Sequence, residues 1–457
     1  MTNNTTIQNP SSHNYQPFIH WFRSASPYIH AHRGRTFVIC FGGEMVKMAH
    51  FSNFIHDIAL LSSLGIRIVL VHGIRPQIEQ GLQAYGQLSH YQNGIRITDE
   101  VALKCVKAAS GEVHTEIEGL LSMGLSNSPT DKINIRTTSG NFITAQPIGI
   151  RDGIDYCYTG KIRRVDTTAI TRQLDEGCIV LLSPIGYSPT GEVFNLLTEE
   201  TAMAIAIALQ AAKWLCFTGK EGILATNGQL IRQLTVREAQ PWLAKEPDFN
   251  YQRILSYAIQ ACQKGVQRVH LVSQQIEGAL LLELFTRDGI GTLISTDPFE
   301  HIRKATINDV GGLLELLSPL EKTGILVRRS REKLETEIAH FTVQERDGMI
   351  TACAALYPFV EEDMAELACL VVHHHYRGTN RGDALLAFLE REACQAGLKQ
   401  IFILTTHTAH WFQERGFIAA NLDSLPIARQ ALYNYQRHSK VFVKAIVNEY
   451  SCAKIQA

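Results

Sequence analysis

Between residues 35 and 294, short apolar runs alternate with stretches of helical spacing, and this alternation restricts the fold more than any other feature of the chain. Thr36–Phe41 is predicted as a buried strand, residues 51–64 as a helix, residues 66–71 as a second strand and Gly73 as a turn. Pro76 falls near the start of the next helix, where its missing N–H costs nothing. Strand, helix, strand, glycine turn and helix describe a mainly parallel sheet with crossover helices, an α/β layer architecture. Ile179–Leu182 and residues 214–217 read as further interior strands of the same layer. The most apolar helix candidate, residues 201–216, is interrupted by Gln210 and Lys213 and is predicted as a buried helix. No segment offers the run of about 18 apolar residues that a membrane helix needs.

At Ser295-Thr296-Asp297-Pro298 the rhythm changes, so this stretch is the expected seam. At 457 residues the chain is too long for one core. Three parts are expected: a polar, disordered leader over 1–16, without the apolar core of a secretory signal, a first domain over 17–296 and a second over 299–451. In the second, Arg303 is predicted to start a strand, and residues 309–317 and 331–340 to be helices. Residues 341–357 read as a hairpin around Asp347-Gly348, a dipeptide suited to positive φ. A strand over 365–373 and a helix over 381–396, with Leu385, Phe388, Leu389 and Ala393 on one face, complete an α+β domain.

The formal net charge of −1 leaves no basic excess for an extended nucleic-acid footprint. Ten cysteines are scattered singly, with no C-x-x-C pair and no His/Cys cluster at metal spacing. In a chain this large they read as reduced thiols in a cytoplasm. His373-His374-His375 is no metal site if the strand continues through it, because neighbouring strand residues face opposite ways.

The most informative stretch runs from Glu366 through Leu367-Ala368-Cys369-Leu370-Val371-Val372 to Arg377-Gly378-Thr379-Asn380-Arg381-Gly382-Asp383. It is a strand entering a tight loop that opens a helix. The first N–H groups of a helix have no internal partner, and glycines let a phosphate approach the main chain. This suits a diphosphate.

The stretch resembles the acetyl-CoA loop of the GNAT acetyltransferases, R/Q-x-x-G-x-G/A, with Arg377 first and Gly382 last. Asn380 replaces the central glycine, and Asn tolerates left-handed backbone better than most residues. Ala409-His410-Trp411-Phe412-Gln413-Glu414-Arg415-Gly416-Phe417 resembles a second GNAT segment. Within that superfamily, Gly324-Ile325-Leu326-Val327-Arg328-Arg329-Ser330, Cys353-Ala354-Ala355-Leu356-Tyr357-Pro358 and Tyr433-Asn434-Tyr435-Gln436-Arg437-His438-Ser439-Lys440 resemble the bacterial N-acetylglutamate synthase family. The resemblance covers residues 303–447.

It implies transfer of acetyl from acetyl-CoA to the α-amino group of L-glutamate, the first step of arginine synthesis, with no metal. The ammonium of glutamate must lose a proton before attack, and Glu366, on the strand before the loop, is the candidate base. Its other reading is an exposed strand carboxylate. The main chains of Cys369 and Val371 would pair with the pantetheine arm, with Leu370 mainly packing and Leu404 also beside the cofactor. The leaving thiolate needs a proton donor; Phe412 stands where many family members have a tyrosine, so Thr405, Tyr433 and a solvent proton stay open. Leu326, Arg328, Arg437 and Ser439 fall in the stretches that would bind glutamate, since arginine forks hold carboxylates.

The first domain resembles the amino-acid kinase fold, a three-layer architecture, over residues 35–294. Ile39-Cys40-Phe41-Gly42-Gly43 matches K-x-G-G with Cys40 in place of lysine. Val71-His72-Gly73-Ile74-Arg75-Pro76-Gln77 matches H-G-G-G-P-Q with Ile74 and Arg75 in place of two glycines, and Thr218-Gly219 replaces T-D. Phosphoryl transfer relies on such cations and amides, so the resemblance implies a scaffold without the chemistry. His270 and Glu283, with carbonyls near Gly289 and Gly291, resemble the arginine site of arginine-inhibited acetylglutamate kinases and imply feedback regulation. The alternative is ordinary packing. The family also implies a homo-oligomer, a hexamer. Two other functions remain open: acetylation of another amine, and a phosphotransferase or non-catalytic arginine sensor.

Overall fold

A computed structural model of the chain describes residues 15–123, 135–296, 300–346, 348–378 and 380–446. Residues 1–14 of the expected leader, Asp297 and Pro298 of the seam, Asp347, Thr379 and residues 447–451 of the expected second domain lie outside the described residues. Gln16, placed in the leader by sequence, opens a helix, Gln16–His32. The chain divides into two units, Met1–Pro298 and Phe299–Ala457.

The first unit is built on an eight-stranded sheet. Its strands are β1 (Thr36–Phe41), β2 (Arg67–His72), β3 (Thr137–Thr138), β4 (Ile179–Leu182), β5 (Lys213–Thr218), β6 (Gln233–Thr235), β7 (Arg268–Ser273) and β8 (Thr292–Ser295), in the spatial order β6-β8-β7-β5-β1-β2-β4-β3. All its ladders are parallel except β7 with β8. Alternate residues of β1 feed two cores: Phe37, Ile39 and Phe41 join one, Val38 and Cys40 the other. Helices Phe51–Ser63 and Glu100–Ser122 cover the first face, Thr198–Ala208 and Phe249–Gln263 the second. That three-layer burial explains the continuous apolar runs, because a parallel sheet is covered on both sides.

Residues 201–216 are not one helix. The helix Thr198–Ala208 ends, Gln210 turns at φ +48° and β5 begins at Lys213. The Gln210 amide donates to the Ile207 carbonyl at 2.7 Å and helps close the helix end. The strand is buried throughout and the helix buries Thr201, Ala202, Met203, Ile205 and Ala206, so composition alone does not separate them.

The second unit is a seven-stranded sheet of β9 (Glu300–Lys304), β10 (Phe341–Arg346), β11 (Met349–Phe359), β12 (Met364–Val372), β13 (Gln400–Thr405), β14 (Ile418–Ala420) and β15 (Lys440–Ala445), ordered β9-β10-β11-β12-β13-β15-β14. Arg303 lies near the end of β9 and does not start it; the ladder with β10 already begins at Glu300, opposite Arg346. Helices Val310–Lys322, Arg331–Glu337 and Arg381–Gln395 pack on the sheet, the second closing in a 3₁₀ turn at Ile338–His340. Gly348, at φ +77°, makes the tight turn between β10 and β11.

Candidate active site

The site grows from a change of pairing along β12. Its parallel ladder with β13 is registered only from Met364 to Glu366, opposite Gln400 to Phe402, whereas its antiparallel ladder with β11 continues to Val372. Past Glu366, β12 therefore turns toward β13 an edge with no registered partner. A bulge accompanies the parting: Ala355 faces Ala368 and Cys353 faces Val371, so β12 carries one extra residue, and Cys369 takes φ +52°. Bulges bend a strand and re-aim its side chains. Here the bulge puts Cys369 and Val371 in one core and Leu370 and Val372 in the other. The Cys369 carbonyl accepts from the Cys353 thiol at 3.6 Å. Burial pushes the Cys369 thiol up to about 11, so at neutral pH its side chain stays protonated.

Glu366 lies opposite Tyr357 and Phe402 at the point where the strands part. Arg429, from the short helix Ile427–Gln430, donates Nε to one carboxylate oxygen at 2.6 Å and Nη2 to the other at 3.1 Å. This two-pronged pair holds the carboxylate in one orientation and commits both its oxygens. Sequence reasoning missed Arg429, because a lone arginine 63 residues downstream carries no local signal.

After β12 comes the loop. Gly378 has φ +79° and Asn380 φ +55°, the left-handed conformation that asparagine was expected to tolerate. Asn380 caps the helix Arg381–Gln395 without a side-chain hydrogen bond, so the helix's first N–H groups point out with no side-chain acceptor from the cap. Arg377 is exposed, its Nε 3.4 Å from the Val372 carbonyl. The Arg381 guanidinium turns to Glu300 and lies 4.4 Å from the Tyr376 ring centroid. A Cβ on Gly382 would stand 3.0 Å from the Trp411 ring, so this glycine also admits the indole. Asp383 is ion-paired with Arg415, which stacks on Trp411 at 3.8 Å. Its carboxylate is thus engaged with a cation beside a site suited to an anion.

The Tyr433 hydroxyl donates to the Ser439 carbonyl at 2.6 Å, whereas the Thr405 hydroxyl meets that of Thr408 at 2.9 Å. Leu404 packs with Phe402 and Val441. Phe412 is buried against Phe417. Arg437 donates Nη2 to the carbonyls of Gly324, at 3.2 Å, and Ile325, which joins the loop of Leu326 and Arg328 to the turn of Arg437 and Ser439. Arg328 itself is exposed. Its neighbour Arg329, not singled out by sequence, turns inward: its Nε is buried without a hydrogen-bond partner, and against the cost of burial its charge is favoured by the Tyr357 hydroxyl and Glu337. The strand ends at Val372, and His374–Tyr376 is a 3₁₀ turn, so the argument from alternation does not apply to the three histidines. Among the described residues no group of three or more His, Cys, Asp or Glu is placed to hold a metal ion.

In the first unit, Cys40 is buried and accepts from the Trp214 indole at 3.3 Å, directly opposite Cys216. The two glycine turns lie against each other; a Cβ on Gly73 would stand 2.7 Å from the Gly43 nitrogen. Both line a cavity of about 470 Å³, where Arg75 lies over Tyr91, 4.6 Å from its ring centroid. His270 and Glu283 do meet, Nδ1 to carboxylate at 2.6 Å, with Lys213 Nζ 3.3 Å from Nε2. Burial, then Lys213, lowers His270 to about 4, so the ring is neutral, donating to Glu283 and accepting from Lys213. Glu283 also accepts from the N–H groups of Ile290 at 2.7 Å and Gly291 at 2.9 Å. The Gly289 carbonyl is taken by Arg232 at 2.5 Å.

The sequence pattern of the amino acid kinase family matches residues 35–273, and that of the acetyltransferase (GNAT) domain residues 337–419. An amino-acid acetyltransferase of Ectopseudomonas mendocina is 54% identical over 94% of this chain and 99% of its own. The chain belongs to the amino-acid acetyltransferase family. Another member, from Azotobacter vinelandii, is 53% identical over the same shares. This acetyltransferase also resembles a solved structure, N-acetylglutamate synthase from Neisseria gonorrhoeae complexed with coenzyme A and L-arginine, at 38% identity and a TM-score of 0.86, over 94% of this chain and 100% of that one. The same enzyme complexed with coenzyme A and N-acetyl-glutamate is 39% identical over those shares, with a TM-score of 0.61. No helix among the described residues is long and apolar enough to cross a membrane.

Proposed function

We propose that this amino-acid acetyltransferase transfers acetyl from acetyl-CoA to the α-amino group of L-glutamate, giving N-acetyl-L-glutamate as the first step of arginine biosynthesis in the cytoplasm. One observation carries the reading: Glu366 stands where β12 and β13 part, and the strand edge left open beyond it leads into the loop before a helix whose first N–H groups have no side-chain cap. The diphosphate would rest on the loop at 377–383 and the pantetheine along the open edge of β12. The amine, once deprotonated, attacks the thioester carbonyl, and the C–S bond breaks as the thiolate leaves. A substrate carboxylate reaching Arg429 would compete with Glu366 for the guanidinium and free a carboxylate oxygen to accept the amine's proton. The Tyr433 hydroxyl donates to a main-chain carbonyl and that of Thr405 pairs with Thr408, so either would have to leave its present partner to donate to the thiolate, and a solvent proton is the third source. Arg328, Arg437, Ser439 and Leu326 would hold the glutamate.

The amino-acid-kinase-like domain, assigned to 17–296, would regulate the GNAT domain, assigned to 299–451, through arginine bound at His270, Glu283, Gly289 and Gly291. An effector guanidinium would have to displace Arg232 from the Gly289 carbonyl. A homo-oligomer, a hexamer by resemblance, is supported by the exposed Tyr15, Phe18, Trp21 and Phe22 at the start of the helix whose Ala25 is buried. Exposed apolar stripes of this kind mark docking surfaces.

The test is thiol release from acetyl-CoA by the purified full chain against a panel of amino acids. A signal confined to glutamate supports the reading; a flat panel, or preference for another amine, rejects it. Arginine added to the same wells should weaken glutamate turnover, and at equilibrium the factor by which arginine weakens glutamate binding should equal the factor by which glutamate weakens arginine binding.

A further inference from the structure

Glu300 opens β9, the edge strand of the second unit, two residues after the division between the units. Its carboxylate is a hub. It accepts from Arg381 through Nε at 3.0 Å and through Nη2, from Arg346 Nη1 at 3.2 Å and from Gln344 Nε2 at 3.0 Å. The side chains of Glu300, Arg381 and Arg346 are only 18%, 11% and 10% exposed, so little water competes for these bonds. Arg381 is also the first residue of the helix that follows the loop, and its guanidinium is pinned on a second side by Tyr376.

We infer that Glu300 is a positioning residue for acetyl-CoA, acting through Arg381. The inference rests on the reading of residues 377–383 as the cofactor loop. Asn380 and Gly378 give that loop two left-handed residues, so its backbone direction is set by what grips either end. Glu300 grips one end. With the carboxylate in place, both neighbouring guanidiniums are paired with it and the N–H groups after Asn380 keep a fixed aim. Without it, Arg381 and Arg346 repel, and Arg381 leaves the contact that orients the first helical turn. The tie also joins the strand that emerges from the unit division directly to the cofactor loop.

The experiment uses the full chain carrying Glu300→Gln, which keeps the shape and removes the charge. Calorimetric Kd for coenzyme A and KM for acetyl-CoA should rise about tenfold, while KM for glutamate and kcat at saturating acetyl-CoA change less than about twofold. Glu300→Asp, which keeps the charge on a shorter stem, should fall between the two proteins, and it serves if the glutamine variant does not fold. Unchanged or tighter coenzyme A binding overturns the inference, as does a fall in kcat without a change in KM for acetyl-CoA. A wild-type protein that binds coenzyme A yet acetylates no amino acid sinks the proposed function alone; one that acetylates glutamate while E300Q binds coenzyme A normally sinks this inference alone.

Discussion

The two units treat their glycine-bearing turns in opposite ways. In the first, the side chains that stand in place of the kinase lysine and glycine are engaged within the protein: Cys40 takes the Trp214 indole and Arg75 lies on Tyr91, while Gly43 and Gly73 pack together. In the second, the edge of β12 past Glu366 and the N–H groups after Asn380 are left facing outward. The difference lies in a few side chains at loops, not in the layers beneath them.

The largest expected effect breaks the open unit. Glu366→Gln should lower kcat on the order of 10²–10⁴-fold, the usual weight of a general base, with coenzyme A affinity nearly intact. Turnover within threefold of wild type would remove Glu366 as the base. Arg429→Ala should cost about 10- to 100-fold in kcat/KM for the amino acid, because it removes a two-pronged carboxylate partner and leaves Glu366 unpaired. An unchanged kcat/KM would make Arg429 a purely structural residue.

Cys40→Lys tests whether one lysine near the end of β1 gives the first unit phosphoryl-transfer chemistry. A charge placed against Trp214 and Cys216 has no partner, and burying it costs on the order of 3–5 kcal/mol. Denaturant melts should show that loss, and no phosphoryl transfer should appear. A variant of wild-type stability that phosphorylates an acyl amino acid would contradict the contrast.

The gentlest test is pH. Burial lowers His72 to about 3 and His270 to about 4 from an ordinary 6.5. A depressed folded-state value means stability present above 6.5 and lost as pH falls toward 4, since the unfolded chain binds protons the folded one refuses. Asp57, raised to about 6 by burial and then by Glu277, works the other way between 3.8 and 6 and offsets part of the loss. In the second unit Asp309, held down to about 2 first by Arg303, loses its contribution only below 3.8. Acid melts should therefore report Trp214 of the first unit loosening before Trp411 of the second. Simultaneous loss, or the reverse order, would refute the assignment.

Interior strands were legible because both faces of a parallel sheet demand apolar residues: Thr36–Phe41 and Ile179–Leu182 are strands at the expected limits. Asn380 was legible because few residues accept its backbone angle. Residues 201–216 were not, since an interior helix and an interior strand share one composition. Nor were Arg429 and Arg329: what distinguishes them from surface arginines is a partner or a burial that only the folded chain supplies. The bulge at Cys369 was hidden for a related reason, as it shifts the strand's alternation without any glycine to announce it.

A crystal of the full chain grown with coenzyme A and glutamate tests the account most directly. The account predicts the diphosphate on the main chain of residues 377–383, the pantetheine along β12 past Glu366, and the amino group beside the Glu366 carboxylate. Coenzyme A lodged in the first unit's glycine-lined cavity, or a thioester sulfur remote from Glu366, would contradict it.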